Sequence, residues 1–187
     1  MTATQIRLWT VEEYHQMIEA GILTEDDKVE LLEGRIVQMS PQGTFHAGTT
    51  QRSDEYLKNR LRGLASVRIQ LPITLTTSEP EPDLAIVRID PNFYCDRHPH
   101  PEDIFLLIEI AFTTFHKDYQ EKAPIYARGN IPEYWLLNVS ENRAYIFRDP
   151  SPSGYQSEQQ LNTTETIVPL AFPDLEVSLS QLFPPQR

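Results

Sequence analysis

The chain has almost no cysteine: one residue, Cys95, in 187. A single thiol excludes an internal disulfide framework and a cysteine-based zinc site. Long apolar runs are missing as well. No window approaches the ~18 uninterrupted apolar residues of a membrane span, so no membrane partner is expected. The opening "MTATQIRLWTVEEYH" has no basic region followed by an apolar one. That is not a secretory signal, and the expected location is the cytoplasm. Positive charge is scarce too, with 16 Lys and Arg against 27 Asp and Glu and a formal net charge of −11. Such a balance excludes a generic nucleic-acid coat protein, because phosphate binding is mostly cationic. It leaves room for a local phosphate-facing patch. Between Arg52 and Arg68, five basic residues (Arg52, Lys58, Arg60, Arg62, Arg68) stand against Asp54 and Glu55.

What remains is enough to build a core: 40% of residues are hydrophobic, in a length that fits one domain over 1–187. Thr10 and Glu13 form a capping box, and Val11, Tyr14 and Ile18 carry the spacing of a helix ending at Gly21. "KVELLEGRIVQM" predicts two strands turning at Glu33-Gly34. A longer helix is expected from about Phe45 to Leu64, with Tyr56, Leu57, Leu61 and Leu64 as its apolar stripe. "SVRIQLPITL" and "PDLAIVRI" read as strands. "IFLLIEIAF" is apolar on both faces and should be a central strand covered on both sides. A helix follows from about Phe115 to Arg128, which Pro124 should bend or deprive of a hydrogen bond. "EYWLLNV" is the next strand, and the tail alternates short strands and turns. Short links make the first three core strands antiparallel neighbours. The fourth arrives through a helix, so it should run parallel to the third. The expected class is an α/β sandwich.

Two carboxylates are misplaced in this scheme. Asp83 opens an apolar strand directly after Pro82, which fixes φ and has no N–H to give to a ladder. Glu109 is the only polar residue among the nine of "IFLLIEIAF". By alternation it shares a face with Phe105, Leu107 and Ala111, opposite Ile104, Leu106, Ile108 and Ile110. A buried carboxylate needs a cation, a partner or a proton. If the two strands are neighbours, both acids meet at one sheet edge, and hard oxygen ligands favour Mg²⁺ or Mn²⁺. Asp118, Lys122 and Tyr126 fall on one helical stripe, which would let Lys122 reach over the strand end. There it would position an attacking water or offset charge on a phosphate. The plainer readings are turn chemistry at Asp83, a structural salt bridge at Glu109 and an exposed Asp–Lys pair on the helix.

These residues resemble the PD-(D/E)XK superfamily of restriction-endonuclease-like nucleases. Its αβββαβ core carries Pro-Asp on one strand and Glu-X-Lys on the next. Pro82-Asp83 matches the first motif; Glu109-Ile110-Ala111 matches the second without its lysine. More narrowly, "VELLEGRIVQMSPQG", "PEPDLAIV", "IEIAFTT" followed by Asp118 and Lys122, and "YARGNIPEYW" resemble the Uma-type endonucleases. In those proteins the lysine comes from the following helix. The resemblance spans about Thr10 to Tyr155. It implies a mixed central sheet flanked by helices, with an extra N-terminal hairpin and C-terminal strands. It also implies that Asp83 and Glu109 bind Mg²⁺ or Mn²⁺, with the Ile110 carbonyl, and that Lys122 orients the hydrolytic water. Glu30 stands where a further acid is expected. His46 would reach substrate or cap its helix. The implied activity is hydrolysis of DNA phosphodiester bonds, with Arg52, Lys58, Arg60 and Arg62 on the strand backbone and a homodimer cutting both strands. The alternative is a catalytically inactive nuclease-fold module that binds a protein partner. Ala111 and Phe112 depart from the family pattern.

Overall fold

The computed structural model describes residues 6–184. The Thr10 capping box starts helix α1 (Val11–Glu19): its hydroxyl accepts from Glu13 N, while the Glu13 carboxylate accepts from Thr10 N. The strands β1 (Val29–Leu32) and β2 (Arg35–Gln38) pair antiparallel around Glu33 and Gly34. Both turn residues have positive φ, 46° and 75°. At Gly34 a Cβ would stand 2.9 Å from the Trp9 carbonyl oxygen, so only glycine fits there. Helix α2 (Thr44–Arg60) follows, ending somewhat before the expected Leu64, which is exposed.

The main sheet holds β3 (Ser66–Ile69), β4 (Leu84–Val87) and β5 (Ile104–Ala111) as antiparallel neighbours. Strand β6 (Glu133–Asn138) then lies parallel to β5, as a helical crossover requires. The strands β7 (Arg143–Ser151) and β8 (Gly154–Asn162) extend the sheet antiparallel, giving the order β3-β4-β5-β6-β7-β8. A small pair, β9 (Thr166–Ile167) and β10 (Val177–Ser178), leads to the short helix α5 (Leu179–Leu182).

Each sheet face carries its own apolar layer. Leu84, Ile86, Leu106, Ile108 and Ile110 pack with Leu57 of α2, with Leu61 at its C-terminal cap, and with Leu179 and Leu182 of α5. Ala85, Val87, Leu107 and Ala111 pack on the opposite face with Tyr126, Tyr134 and Leu32 of the hairpin. One expected alternation breaks. The β4–β5 register slips between Ile86 and Val87, pairing Val87 with Ile104 and skipping Phe105. An extra residue in one strand reverses the side-chain faces beyond it. Ile104 therefore joins the hairpin face, and Phe105 packs on the α2 face.

The crossover between β5 and β6 is three pieces in one rod: α3 (Phe115–Lys117), a π turn (Asp118–Lys122) and α4 (Ala123–Arg128). Ala123 N–H bonds to the Asp118 carbonyl, five residues back, where a regular helix would reach four. Pro124 follows immediately and has no N–H to continue the ladder. The predicted disturbance therefore takes the form of a widened turn.

Candidate active site

Antiparallel pairing sets Leu84 against Ile108, so the residues just beyond, Asp83 and Glu109, lie side by side at the strand ends. They are tied through the backbone: Asp83 N–H points to Glu109 Oε2 at 3.3 Å, and Ile110 N–H donates to Asp83 Oδ2 at 2.8 Å. His46, in the first turn of α2, places Nε2 at 3.0 Å from the same Asp83 oxygen. Gln70 Nε2 reaches Asp83 Oδ1 at 3.3 Å. Each acid thus has one well-held oxygen and one freer one. For Asp83 the freer atom is Oδ1. For Glu109 it is Oε2, because Oε1 accepts from Lys122 Nζ at 2.9 Å and from the Tyr126 hydroxyl at 2.6 Å.

The π turn and α4 bring Asp118, Lys122 and Tyr126 down on this edge, and all three are buried. The hairpin closes over from the other side. Glu30 is buried on β1, and its carboxylate takes Lys117 Nζ at 3.0 Å and Lys122 Nζ at 3.2 Å. Lys122 is therefore shared by Glu30 and Glu109. The Thr114 hydroxyl donates to Asp118 at 2.6 Å.

Burial first, and neighbouring charge after it, sets the protonation states. Burial and the charges of Asp83 and Asp118 push the Glu109 carboxyl up, to about 8, against the pull of Lys122. Burial likewise raises Asp118, with Asp83 adding to it. Burial works against a charged Lys122, but Glu109, Glu30 and Asp118 outweigh it and hold its proton firmly. For Glu30 the same ammonium groups, Lys122 and Lys117, overcome burial and keep the carboxyl below its usual range. Burial also opposes both charges of the His46–Asp83 pair. Their hydrogen bond and mutual attraction prevail, raising the imidazole and lowering the carboxyl.

All of these groups line one open cleft of about 950 Å³, together with Gln70, Glu81 and Lys28. The basic residues of α2 do not line it. Arg52 donates to the Ser180 carbonyl, Arg60 to the Glu176 carbonyl, and Lys58 pairs with Asp54 on its own helix. Arg62 lies in the turn after α2, away from the lining. Asp83, Glu109, Lys122, Glu30 and His46 are thus brought together, while Arg52, Lys58, Arg60 and Arg62 are not. Lys117, Gln70 and Glu81 join the site without having stood out in the sequence. Asp118 and Tyr126 had a signal, their stripe with Lys122, but no assigned role.

The residues present fit a divalent cation in part. Two freer carboxylate oxygens are hard donors, and the lining carries five acids (Glu30, Glu81, Asp83, Glu109, Asp118) against three lysines (Lys28, Lys117, Lys122). Among the described residues no three His, Cys, Asp or Glu side chains form a ready-made cage.

A helix, three antiparallel strands, a crossover helix and a parallel strand, with acids at adjoining strand ends, define a restriction-endonuclease-like fold. A solved structure from Anabaena variabilis, described as "a putative nuclease belonging to DUF820", shares it. The TM-score is 0.74 over 93% of this chain and 97% of the other, at 18% identity, a likeness of fold alone. At the level of sequence, a model of the family "Uma2: Putative restriction endonuclease" matches residues 11–180, and the chain belongs to that family. Comparison with curated proteins finds no match.

Proposed function

We propose that this chain is a Mg²⁺- or Mn²⁺-dependent endonuclease hydrolysing phosphodiester bonds of DNA. The observation that carries this reading is the pair Asp83 and Glu109, each with one oxygen held only by a single long hydrogen bond, in an acid-rich cleft that Lys122 also lines. Membership of the Uma2 family supports a nuclease-type activity. Held by Asp83 and Glu109, a divalent ion would supply positive charge to the scissile phosphate and acidify an attacking water.

The protein groups divide the remaining work. Tyr126 and Lys122 fix Glu109 Oε1 and so aim Oε2. His46 and the Ile110 N–H fix Asp83 Oδ2 in the same way. Lys122 keeps its proton, so it acts as a hydrogen-bond donor that orients water and offsets charge on the phosphate; it is not the base. Glu30 positions Lys122 from the hairpin side.

The test is a calorimetric titration of Mn²⁺ and Mg²⁺ into wild type and Asp83→Asn, followed by cleavage of DNA. Metal binding and cleavage that both vanish in the variant are expected. If wild type binds neither ion, with or without DNA, the nuclease reading fails, and a non-catalytic module that binds a protein partner takes its place.

A further inference from the structure

A second cavity of about 410 Å³ opens beside the cleft, and the two share His46, Thr114 and the Ser40–Gln42 segment. Its wall contains two phenylalanines, Phe45 in the first turn of α2 and Phe112 immediately after β5. Their rings are 8° from parallel with centroids 5.6 Å apart. Both are half-exposed, at 49% and 44%, and neither belongs to either apolar layer of the sheet. Packing therefore does not account for them. Adjacent exposed apolar rings at a cleft mark a ligand surface. Their placement is informative. Phe45 precedes His46, which bonds Asp83, and Phe112 stands three residues beyond Glu109.

We infer that Phe45 and Phe112 form a stacking ledge for an unpaired nucleobase, so that the substrate is single-stranded DNA or an unpaired end rather than continuous duplex. This rests on the nuclease reading of the adjoining cleft. The rings are too close for a base to slide between them, since two stacking contacts need about 7 Å. A base would lie on the outer face of the pair, as on a platform. Such stacking tolerates any base, because every base has a π-face. Inside a duplex those faces are covered by neighbouring pairs, and exposing one costs unstacking.

Electrostatics point the same way. Binding to duplex draws its affinity from cations on phosphates. In the cleft, Lys117 and Lys122 are held by Glu30 and Glu109, and Lys28 is the remaining lysine of the lining. Arg52, Arg60 and Lys58 are engaged elsewhere. With few unpaired cations in the lining, the two rings offer a stacking contribution that only an unpaired strand can use. One site then suffices, without the dimer that cutting both strands would call for.

The experiment is fluorescence anisotropy with a short labelled oligonucleotide, single-stranded or annealed, with Ca²⁺ replacing Mg²⁺ to hold back cleavage. Wild type should prefer the single strand. The double variant Phe45→Ala/Phe112→Ala should bind it about tenfold more weakly or worse, and Phe45→Ala/Phe112→Leu should bind no better, because leucine keeps bulk and loses the π-face. Phe112→Trp should bind like wild type, with indole fluorescence quenched by the single strand beyond any change in wild type. Wild-type-like binding and cleavage of single strands by the double variant would overturn the ledge. So would a preference for duplex. In both cases the nuclease reading survives if Asp83→Asn abolishes cleavage. Wild type that cuts neither form with Mg²⁺ or Mn²⁺ would sink both together.

Discussion

Two glutamates on neighbouring strands, Glu109 of β5 and Glu133 of β6, are both almost fully buried and differ in nearly everything else. Glu133 is closed. Its Oε1 accepts from Trp135 Nε1 at 2.9 Å and from Arg148 Nε and Nη2 at 2.8 and 2.6 Å. Its Oε2 takes Leu170 N–H at 2.8 Å. It lines neither cavity and has its cation directly across the ladder, Arg148. Glu109 has Lys122 too, but Asp83 and Asp118 crowd it and one of its oxygens faces a cleft almost unpaired. Burial of a charge is therefore not what sets the acid of the proposed site apart from one that only holds the fold together. Unrelieved like charge beside open space is what separates them.

The largest test of that contrast is on activity. Glu109→Gln and Asp83→Asn should each reduce DNA cleavage by roughly 10²–10³-fold or more; the thermal midpoint should stay close to wild type in Glu109→Gln, where the amide relieves crowding, and fall in Asp83→Asn, which loses the attraction to His46. In Glu133→Gln the outcomes exchange places. Metal affinity and cleavage stay, while stability falls by about 2–3 kcal/mol as Arg148 loses its anion, a drop of roughly 5–10 °C in Tm. If Glu133→Gln also removed metal binding, the division of roles between the two acids would be wrong.

Much of this contrast was legible in the sequence, and the illegible part has physical causes. Glu109 stood out because nothing else in its run is polar, and Asp83 because Pro82 cannot pair in a ladder. Short links then made their strands neighbours. Glu133 gave no comparable signal, since its partner lies fifteen residues on and is set opposite only by the β6–β7 register. The slip that moved Ile104 to the other face cannot be read from alternation, because a bulge is an exception to alternation. Lys117 looked like any helix-surface lysine until the hairpin brought Glu30 above it. The π turn followed from Pro124 only as a disturbance of unspecified kind.

A smaller effect appears as a pH dependence of the metal-free protein. Glu109 and Asp118 have raised carboxyl pKa values, so above their ordinary range the folded state holds protons that the unfolded state has released. Stability must then fall as pH rises. His46 acts in the same direction. Its pKa is raised by Asp83, so the stabilisation is complete below its ordinary value and is lost as pH climbs through the folded one. Asp83 and Glu30, shifted down, matter only in more acidic solution. Thermal unfolding in chelator should lose on the order of 2 kcal/mol between about pH 5.5 and pH 8. Glu109→Gln should flatten most of that slope, whereas Glu133→Gln should leave it. A slope unchanged in Glu109→Gln would mean that Glu109 is not the crowded acid.

The smallest effect concerns the cations that looked like a phosphate track. Lys58 pairs with Asp54 one turn away, half exposed to water, and such pairs contribute only ~0.3–0.5 kcal/mol. Neither Lys58 nor Arg62 lines the cleft. The double substitution Lys58→Gln/Arg62→Gln should therefore change stability by less than about 0.5 kcal/mol and DNA affinity by less than about twofold at moderate salt. The salt dependence is the sharper readout. Each phosphate contact contributes close to one unit of slope in log K against log salt, so two lost contacts would lower it by about two on duplex. An unchanged slope would place nucleic acid over the hairpin side of the sheet, where the freer oxygens of Asp83 and Glu109 are. A reduced slope would bring the helix α2 surface into the binding track, and the acid-rich cleft would then have to receive a strand already held by cations from behind the sheet.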